Sequence, residues 1–375
     1  MDMPKRKFII HMAWATALVC LFCIGLNPPA SADNEKFSVK VMTRNMDAGT
    51  DLNYVTSAAS GEDFIKGVIL TVNEVIASRI PERAARLASE IAEERPDLIA
   101  LQEVTTWQIT QGTTSIEYDQ LELLKAALRA RGQHYRVAAV QQLTYIPVDL
   151  NPYVPLAATF LDQNAILIRT DAPPGHLALL GTETQIYENG LGFNIPDPPG
   201  GTIDVHEGWM AVDVKVRGAR FKFFNTHLMS PIPGPYFGYS ANVQSLQAGE
   251  LISALDSSGL PVILAGDFNS DATDPQHGPD KTSSAGDIVS AGYLDAWKYL
   301  RPHLPGYTWP LFREDLLPGS PPSPVPYFER IDLLFSRGPK PLWIERTGLL
   351  PNRQGVYASD HAGVVALYDL ERHGK

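Results

Sequence analysis

A carboxylate and a carboxamide stand two positions apart near the end of the segment LAGDFNS, which closes at residue 270. They are Asp267 and Asn269, and they follow an apolar run over 262–265 that is typical of a buried strand. Residues two apart on a strand share a face, so both polar side chains point one way and Phe268 points the other. Such a pair either ends the strand in a turn or supplies half of a site for a metal or a phosphate.

Polar residues follow, interrupt or precede five other strand-like runs. They are Asn45 with Asp47, Gln102 with Glu103, Asn225 with His227, Asp332 inside its run, and Asp360 with His361. Each alone fits a turn or a local hydrogen-bond motif. Together they form the set that a metal-bound phosphate needs, because carboxylate oxygens suit Mg²⁺ and histidines manage phosphate charge and protons.

Strand-like and helical runs alternate along the chain, and these elements must position the polar residues. Short apolar runs typical of strands begin at Val39, Leu98, Ala165, Met210, Phe221, Val262, Ile331 and Gly363. Apolar residues at helical spacing cover 81–94, 118–131 and 242–255. The interleaving favours an α/β class with sheets covered on both faces. Three proline-containing stretches, 141–160, 185–207 and 303–327, are expected to be long loops.

The start of the chain is expected to lie outside the folded part. Basic residues at 5–7 precede an apolar stretch over 8–26, and residues 30–32 form a small-residue cleavage pattern. This layout predicts a signal peptide over 1–32, cleavage near Ala32, and an exported protein that is secreted or periplasmic. An uncleaved membrane anchor is the alternative, because about 19 apolar residues can just span a bilayer.

Composition limits the classes of function further. The 375 residues, 44% of them hydrophobic, are enough to bury a sizeable core. Both cysteines, Cys20 and Cys23, lie in the predicted signal peptide, so the rest of the chain has no disulfide or thiolate chemistry. The formal net charge of −11 weighs against tight binding of duplex nucleic acid, although an acidic total can contain a local basic cleft.

In their order along the chain, the polar motifs resemble those of the endonuclease/exonuclease/phosphatase superfamily in its deoxyribonuclease-like form. The motifs are Asn45-x-Asp47, Leu101-Gln102-Glu103, Asn225-x-His227, Gly266-Asp267-x-Asn269, Arg330-x-Asp332 and Ser359-Asp360-His361. Two of them, GDFN and SDH, are weak alone, but the ordered combination is specific. The resemblance runs from about residue 38 to about residue 368 and predicts a single catalytic domain over 33–375.

The resemblance implies a four-layer α/β/β/α sandwich of two packed mixed sheets flanked by helices. It also implies hydrolysis of a phosphoester, above all a phosphodiester, with Mg²⁺ or Mn²⁺ as cofactor. The implied metal ligands are Glu103, Asp47, Asn45 and Asp360. The implied catalytic residues begin with Asp267, which orients or deprotonates the attacking water, and Asn269, which holds that water or a phosphate oxygen. His361 would bind the scissile phosphate and be oriented by Asp332. His227 would lie near the leaving group.

The chain departs from the family pattern at two places. Many members carry Asp-Arg before the strand that begins at Ala165, where this chain has Asp162-Gln163-Asn164. The missing arginine removes one phosphate contact, and Asn164 is expected to bind substrate together with Asn225. Some members carry a tyrosine before His227, where this chain has phenylalanine.

The core motifs leave the substrate open between a nucleic acid and a lipid. Because the family cleaves both, a sphingomyelinase or phospholipase C-like enzyme is the main alternative to a nuclease. The loop 229–239 contains prolines and aromatic residues, which fits an ordinary packed loop, a loop that lines a pocket, or one that contacts a membrane transiently. A small-molecule phosphatase and an inactive binding protein on the same fold are the remaining alternatives, and no obligate protein partner is indicated.

Overall fold

The computed structural model describes residues 37–197, 199–232, 237–273, 282–311, 316 and 327–370. The predicted signal peptide over 1–32 lies outside these ranges, so its existence stays a prediction. Within the described part of the chain, no helix is both long enough and apolar enough to cross a membrane.

The described residues form two large sheets, a small ribbon and flanking helices. The strands are β1 (Ser38–Asn45), β2 (Leu98–Gln102), β3 (Thr106–Gln111), β4 (Thr114–Asp119), β5 (Tyr135–Asp149), β6 (Leu156–Arg169), β7 (Leu177–Ile186), β8 (Leu191–Asn194), β9 (Thr202–Val205), β10 (Gly208–Val216), β11 (Ala219–His227), β12 (Val262–Asp267), β13 (Leu294–Asp295), β14 (Asp332–Arg337), β15 (Lys340–Thr347) and β16 (Gly363–Asp369). The helices are α1 (Asn53–Thr56), α2 (Gly61–Ala77), α3 (Ile80–Glu94), α4 (Gln120–Ala130), α5 (Phe237–Asp256), α6 (Ser284–Ser290) and α7 (Ala296–Leu300).

Both large sheets mix parallel and antiparallel neighbours. The first sheet has the strand order β15-β16-β1-β2-β6-β3-β4, and β5 lies along β6. The second sheet has the order β13-β14-β12-β11-β10-β7, and β8 pairs with β9 in the separate ribbon. Strands β1 and β2 run parallel in the first sheet, as do β11 and β12 in the second, and a contact between Asn45 and Asp267 brings the ends of the two pairs to the same edge of the sandwich.

The two sheets pack face to face through one apolar layer, which we call the inter-sheet layer. Its main residues are Val39, Val41, Leu98, Ala100, Ile166 and Ile168 from the first sheet, and Met210, Val212, Val214, Phe221, Phe223, Ile263, Ala265 and Leu334 from the second. They recur at every second position because alternate side chains of a strand share a face. Burying one side chain of this size stabilises the fold by about 1.5–3 kcal/mol relative to leaving it exposed.

Helices cover the outer face of each sheet. Leu87 of α3 and Leu124 of α4 pack with Met42 and Ile99 of the first sheet. Leu251 of α5 and Ile288 of α6 pack with Leu264 and Phe335 of the second sheet. The predicted four-layer α/β/β/α sandwich is therefore confirmed.

Two of the predicted loops are wrong, because prolines can occur in and beside strands. Residues 141–160 belong mostly to the long hairpin of β5 and β6, in which Pro147 pairs with Thr159. Since β5 lies at the edge of its sheet, it can accommodate a proline, which cannot donate a ladder hydrogen bond. The stretch 185–207 contains the β8–β9 ribbon. The third predicted loop, 303–327, is described only in part.

Candidate active site

At one edge of the sandwich, the inter-sheet faces of the strands change from apolar to polar. In β12, Ile263 and Ala265 belong to the inter-sheet layer and Asp267 follows on the same face. Phe268 points the other way, as predicted, and its ring lies 5.2 Å from that of Phe335 on the helix side. Polar residues on the inter-sheet face of other strands at this edge are Asn45, Gln102, Asp162, Asn164, Asn225, His227 and Asp332.

Glu103 lies immediately after β2 and is tied to the end of β1. Its Oε1 accepts a hydrogen bond from Asn45 Nδ2 at 2.8 Å, and its Oε2 accepts one from the backbone N–H of Ala48 at 2.7 Å. Asn45 Nδ2 also donates to Asp267 Oδ2 at 3.0 Å, so a single amide connects the two carboxylates across the sheets. The parallel pairing of β1 with β2 brings these side chains to one edge.

Three site residues adopt left-handed backbone conformations that side chains with a Cβ rarely take. Their φ angles are 62° at Asp47, 50° at Glu103 and 46° at Asn269. Each lies just beyond a strand end, where the chain turns sharply and presents its side chain to the edge of the sandwich. Such conformations cost of order 1–3 kcal/mol each and persist where the surrounding structure holds them, which is common at functional sites.

His361 is oriented by a buried carboxylate, as predicted. Its Nδ1 lies 2.9 Å from Asp332 Oδ2 and 3.7 Å from Asp267 Oδ2. Burial disfavours a charge on this imidazole, but the carboxylates of Asp332, Asp360 and Asp267 outweigh burial and hold the pKa of His361 well above its ordinary value. The arrangement keeps a positive charge among three carboxylates.

The remaining predicted metal ligands lie near Glu103 but have contacts of their own. Asp47 is fully buried, and its Oδ2 lies 3.1 Å from Nη2 of Arg83 on α3. Asp360 Oδ1 lies 3.9 Å from His361 Nε2. Burial, followed by the negative charges of Asp360 and Asp47, raises the pKa of Glu103 to about 7. A bound cation would favour the ionised form of Glu103 instead.

Glu103, Asp267 and His361 each offer one ligand atom, and these three atoms lie within 4.8 Å of one another. Because His361 is held in its charged form, the carboxylates of Glu103 and Asp267 are the groups open to a cation, and carboxylate oxygens suit a divalent ion such as Mg²⁺ or Mn²⁺. The donor chemistry and the spacing therefore fit a metal at the predicted place.

His227 and Asn269 form the other side of the site. Asn269 Nδ2 lies 3.0 Å from His227 Nε2 and also donates to the carbonyl of Leu228 at 2.9 Å. Because an amide nitrogen donates, His227 Nε2 accepts this hydrogen bond, which leaves Nδ1 as the ring nitrogen that carries the proton. That nitrogen faces Glu207 Oε2 at 3.3 Å, while Nε2 lies 3.7 Å from Asp267 Oδ2.

The geometry of Asn225 does not support its predicted role in substrate binding. Its Nδ2 donates to the carbonyls of Leu101 and Ala165, and its Oδ1 accepts from Gln102 Nε2 at 2.6 Å. Both donor hydrogens are therefore used to join the two sheets. Asn164 is also fully buried and lies on the inter-sheet face.

Two residues that contact the site, Glu207 and Arg83, were not among the sequence predictions, because their partners lie on other elements. Antiparallel strands enter the same edge at their amino ends, which is how Glu207, just before β10, comes to face His227 at the end of β11. Arg83 could have been found from its helical spacing. It stands four residues before Leu87 on the buried face of α3, where a lone cation needs a partner.

We expect Asp332→Asn to lower the pH at which His361 loses its proton. Asp332 is the largest contribution that raises this pKa, and asparagine removes the charge while keeping the shape. Because the pKa of His361 is raised in the folded protein, the charged ring stabilises the fold at low pH. That stabilisation is lost as the pH rises through the pKa of His361 in the folded state. A titration of the labelled imidazole by NMR, without metal, measures the shift. Asp213→Asn, remote from His361, serves as control, and an unchanged His361 titration in Asp332→Asn would contradict the assignment.

The sequence matches a known protein family, and the fold is similar to several solved structures. A family model described as the Endonuclease/Exonuclease/phosphatase family matches residues 73–361. Among solved structures, a humanized TDP2 of D. rerio is similar with a TM-score of 0.52 and 16% identity, covering 88% of this chain and 98% of that one. A protein of Beutenbergia cavernae DSM 12333 with the same family description has a TM-score of 0.51 and 22% identity, covering 89% and 72%. A further D. rerio TDP2 structure, described as complexed with single strand DNA product, has a TM-score of 0.50 and 16% identity, covering 88% and 98%. No curated protein matches the sequence.

Proposed function

The chain belongs to the Endonuclease/Exonuclease/phosphatase family, and on that premise we propose that it hydrolyses phosphodiesters with Mg²⁺ or Mn²⁺ bound at Glu103. Members of the family are divalent-metal-dependent phosphoesterases, so the class of reaction follows from membership. The observation that carries the finer proposal is the amide of Asn45, whose Nδ2 lies 2.8 Å from Glu103 Oε1 and 3.0 Å from Asp267 Oδ2, so that the predicted metal ligand and the predicted base lie side by side.

Each side chain of the cluster has a distinct part in the proposed reaction. A bound divalent ion would supply positive charge to the non-bridging oxygens of the phosphate. Asp267 orients the attacking water and takes its proton, while the bond from phosphorus to the leaving oxygen breaks. His361, kept charged by Asp332, binds a phosphate oxygen, and Asn269 holds the water or a second oxygen. Glu103 is the principal metal ligand, with Asn45, Asp47 and Asp360 beside it.

His227 takes the leaving-group side in this proposal. Its Nε2 lies 3.7 Å from Asp267 Oδ2 and 3.0 Å from Asn269 Nδ2. When Asn269 turns to the water or the phosphate, Nε2 is free to take up a proton and to donate it to the leaving oxygen, which lowers the barrier because charge develops on that oxygen.

The substrate class rests on weaker support than the reaction class. The DNA product in the D. rerio structure belongs to that protein, and at 16% identity the likeness extends only to the fold. A lipid phosphodiester stays the second candidate, because the predicted loop 229–239 contains aromatic residues, of which Tyr239 lies in the first turn of α5 and is 56% exposed. Residues 233–236 of that loop lie outside the described residues, so its predicted membrane contact stays a proposal. Export also stays a proposal, supported by the sequence of residues 1–32 alone.

Removal of divalent metal is expected to abolish hydrolysis. The purified chain, treated with EDTA and then with Mg²⁺ or Mn²⁺, should be assayed in parallel on plasmid DNA, RNA, sphingomyelin vesicles and a phosphate monoester. We expect cleavage of at least one phosphodiester, loss of that activity in EDTA and recovery on adding metal, because phosphate charge would otherwise stay unneutralised. Full activity in EDTA would overturn the mechanism, and activity on the monoester alone would identify a phosphatase.

A further inference from the structure

A second group of polar side chains lies beside the proposed active site, between the two sheets. Asp162 of β6, Glu207 before β10 and His227 at the end of β11 each offer one atom, and these atoms lie within 4.8 Å of one another. All three residues are buried. His227 separates the two groups, because its Nε2 faces Asn269 while its Nδ1 faces Glu207.

Two buried amides complete the walls of this second group. Asn164 follows Asp162 by two positions on β6, so both side chains face the inter-sheet layer. Gln141 pairs with Asn164 across the β5–β6 ladder and therefore shares that face. A Cβ placed on Gly208 would lie 2.9 Å from both amide atoms of Gln141, which brings that amide against the chain beside Glu207.

The polar atoms of this pocket lack the partners that buried groups normally have. Asn164 is fully buried, and neither its Oδ1 nor its Nδ2 makes a hydrogen bond. Gln141 Oε1 and Glu207 Oε2 are likewise buried without a hydrogen bond. Among the residues that the structure describes, no lysine or arginine forms an ion pair with Asp162 or Glu207. Buried carboxylates are normally paired with cations or coordinate metals, and unsatisfied buried amides call for a water or an ion.

We propose that Asp162 and Glu207, with the amide oxygens of Asn164 and Gln141, bind a second divalent cation between the sheets. Carboxylate and amide oxygens are the ligands of hard ions such as Mg²⁺, Mn²⁺ and Ca²⁺. His227 is not a ligand in this arrangement, because Asn269 donates to its Nε2 and its proton lies on Nδ1, facing Glu207. The imidazole then orients the ligand Glu207 through Nδ1 without binding the ion itself, and metal ligands are commonly held in this way by a neighbouring hydrogen-bond partner. This site does not depend on the reaction proposed for Glu103 and Asp267.

The test counts the Mn²⁺ ions bound to the metal-stripped full-length chain, using the EPR signal of free Mn²⁺ during a titration. We expect two ions in the unaltered protein. The double variant Asp162→Asn/Glu207→Gln should keep one, the ion of the Glu103 site. Glu103→Gln should also keep one, and combining all three changes should leave none. Asp213→Asn, a carboxylate change elsewhere on β10, should leave two.

A milder variant keeps the test decisive if the double variant folds poorly. Asn164→Ala leaves both carboxylates in place and should weaken one of the two ions by at least about tenfold. If the unaltered protein binds one ion and Glu103→Gln binds none, the second site is overturned and the proposed function stands. The buried carboxyl groups of Asp162 and Glu207 are then protonated instead of bound to a cation. One ion that persists in Glu103→Gln and is lost in the double variant would support the second site and contradict the metal at Glu103. No bound Mn²⁺ would overturn both.

Discussion

Asp267→Asn is expected to lower the rate of phosphoester hydrolysis by roughly 10²–10⁴-fold, the usual contribution of a general base. Asp267 Oδ2 lies 3.7 Å from both His361 Nδ1 and His227 Nε2, at the centre of the site. Asparagine keeps the shape and can still accept from the backbone N–H of Asn269, now at 2.9 Å from Oδ1, but it cannot take a proton from water. Steady-state kinetics should show the loss in kcat, with thermal unfolding close to that of the unaltered protein.

The neighbouring residue supplies the matched control for this prediction. Phe268 follows Asp267 directly but points into the helix-side core, where it is fully buried against Phe335. Phe268→Leu should therefore lower the free energy of unfolding by roughly 1–3 kcal/mol and leave kcat nearly unchanged. Equal kinetic losses in both variants would mean that the Asp267 effect reflects general damage to the strand end. Full activity in Asp267→Asn would remove it as the base.

The alternation of side chains explains why much of this site could be predicted from the sequence. Where one face of a strand is apolar until its last residues, the polar residues at its end indicate where that face meets solvent or a ligand. Asn45, His227 and Asp267 all follow this rule, and parallel pairing brings His227 and Asp267 to one edge of their sheet. The same alternation explains why Phe268 points to the helix side, away from Asp267.

The remaining features depend on contacts that a strand's own sequence does not contain. Asn225 has the face and the position of a substrate ligand, yet its amide joins Leu101 to Ala165 because the opposite sheet happens to present carbonyls there. Glu207 was assigned to a predicted loop, and only the antiparallel register of β10 with β11 brings it to His227. Partners across sheets are set by packing, which the local pattern does not specify.

The buried ion pair of Arg44 with Glu90 is another contact between separate elements that the local sequence pattern does not specify. Arg44 precedes Asn45 on β1 and is fully buried, with its Nε 3.3 Å from Glu90 Oε2 on α3. Its Nη1 donates to the backbone carbonyl of His361. A Cβ on Gly348 would lie 2.7 Å from Arg44 Nη2 and 2.9 Å from the Glu90 carboxylate, so the chain closes tightly over the pair.

Arg44→Met is therefore expected to lower the free energy of unfolding by roughly 3–5 kcal/mol, because it leaves Glu90 buried without its main cation. Urea denaturation measures the change. The double variant Arg44→Met/Glu90→Leu should recover a large part of that loss, since a buried ion pair can be exchanged for apolar side chains at little cost. Arg220→Met, which breaks the more exposed pair with Asp213, should cost no more than about 1 kcal/mol.

If the double variant is as unstable as Arg44→Met, the loss comes from the broken bond to His361 rather than from the uncompensated charge. The recovered double variant then tests positioning: stable protein with reduced kcat would show that Arg44 holds the His361 backbone in place for the reaction.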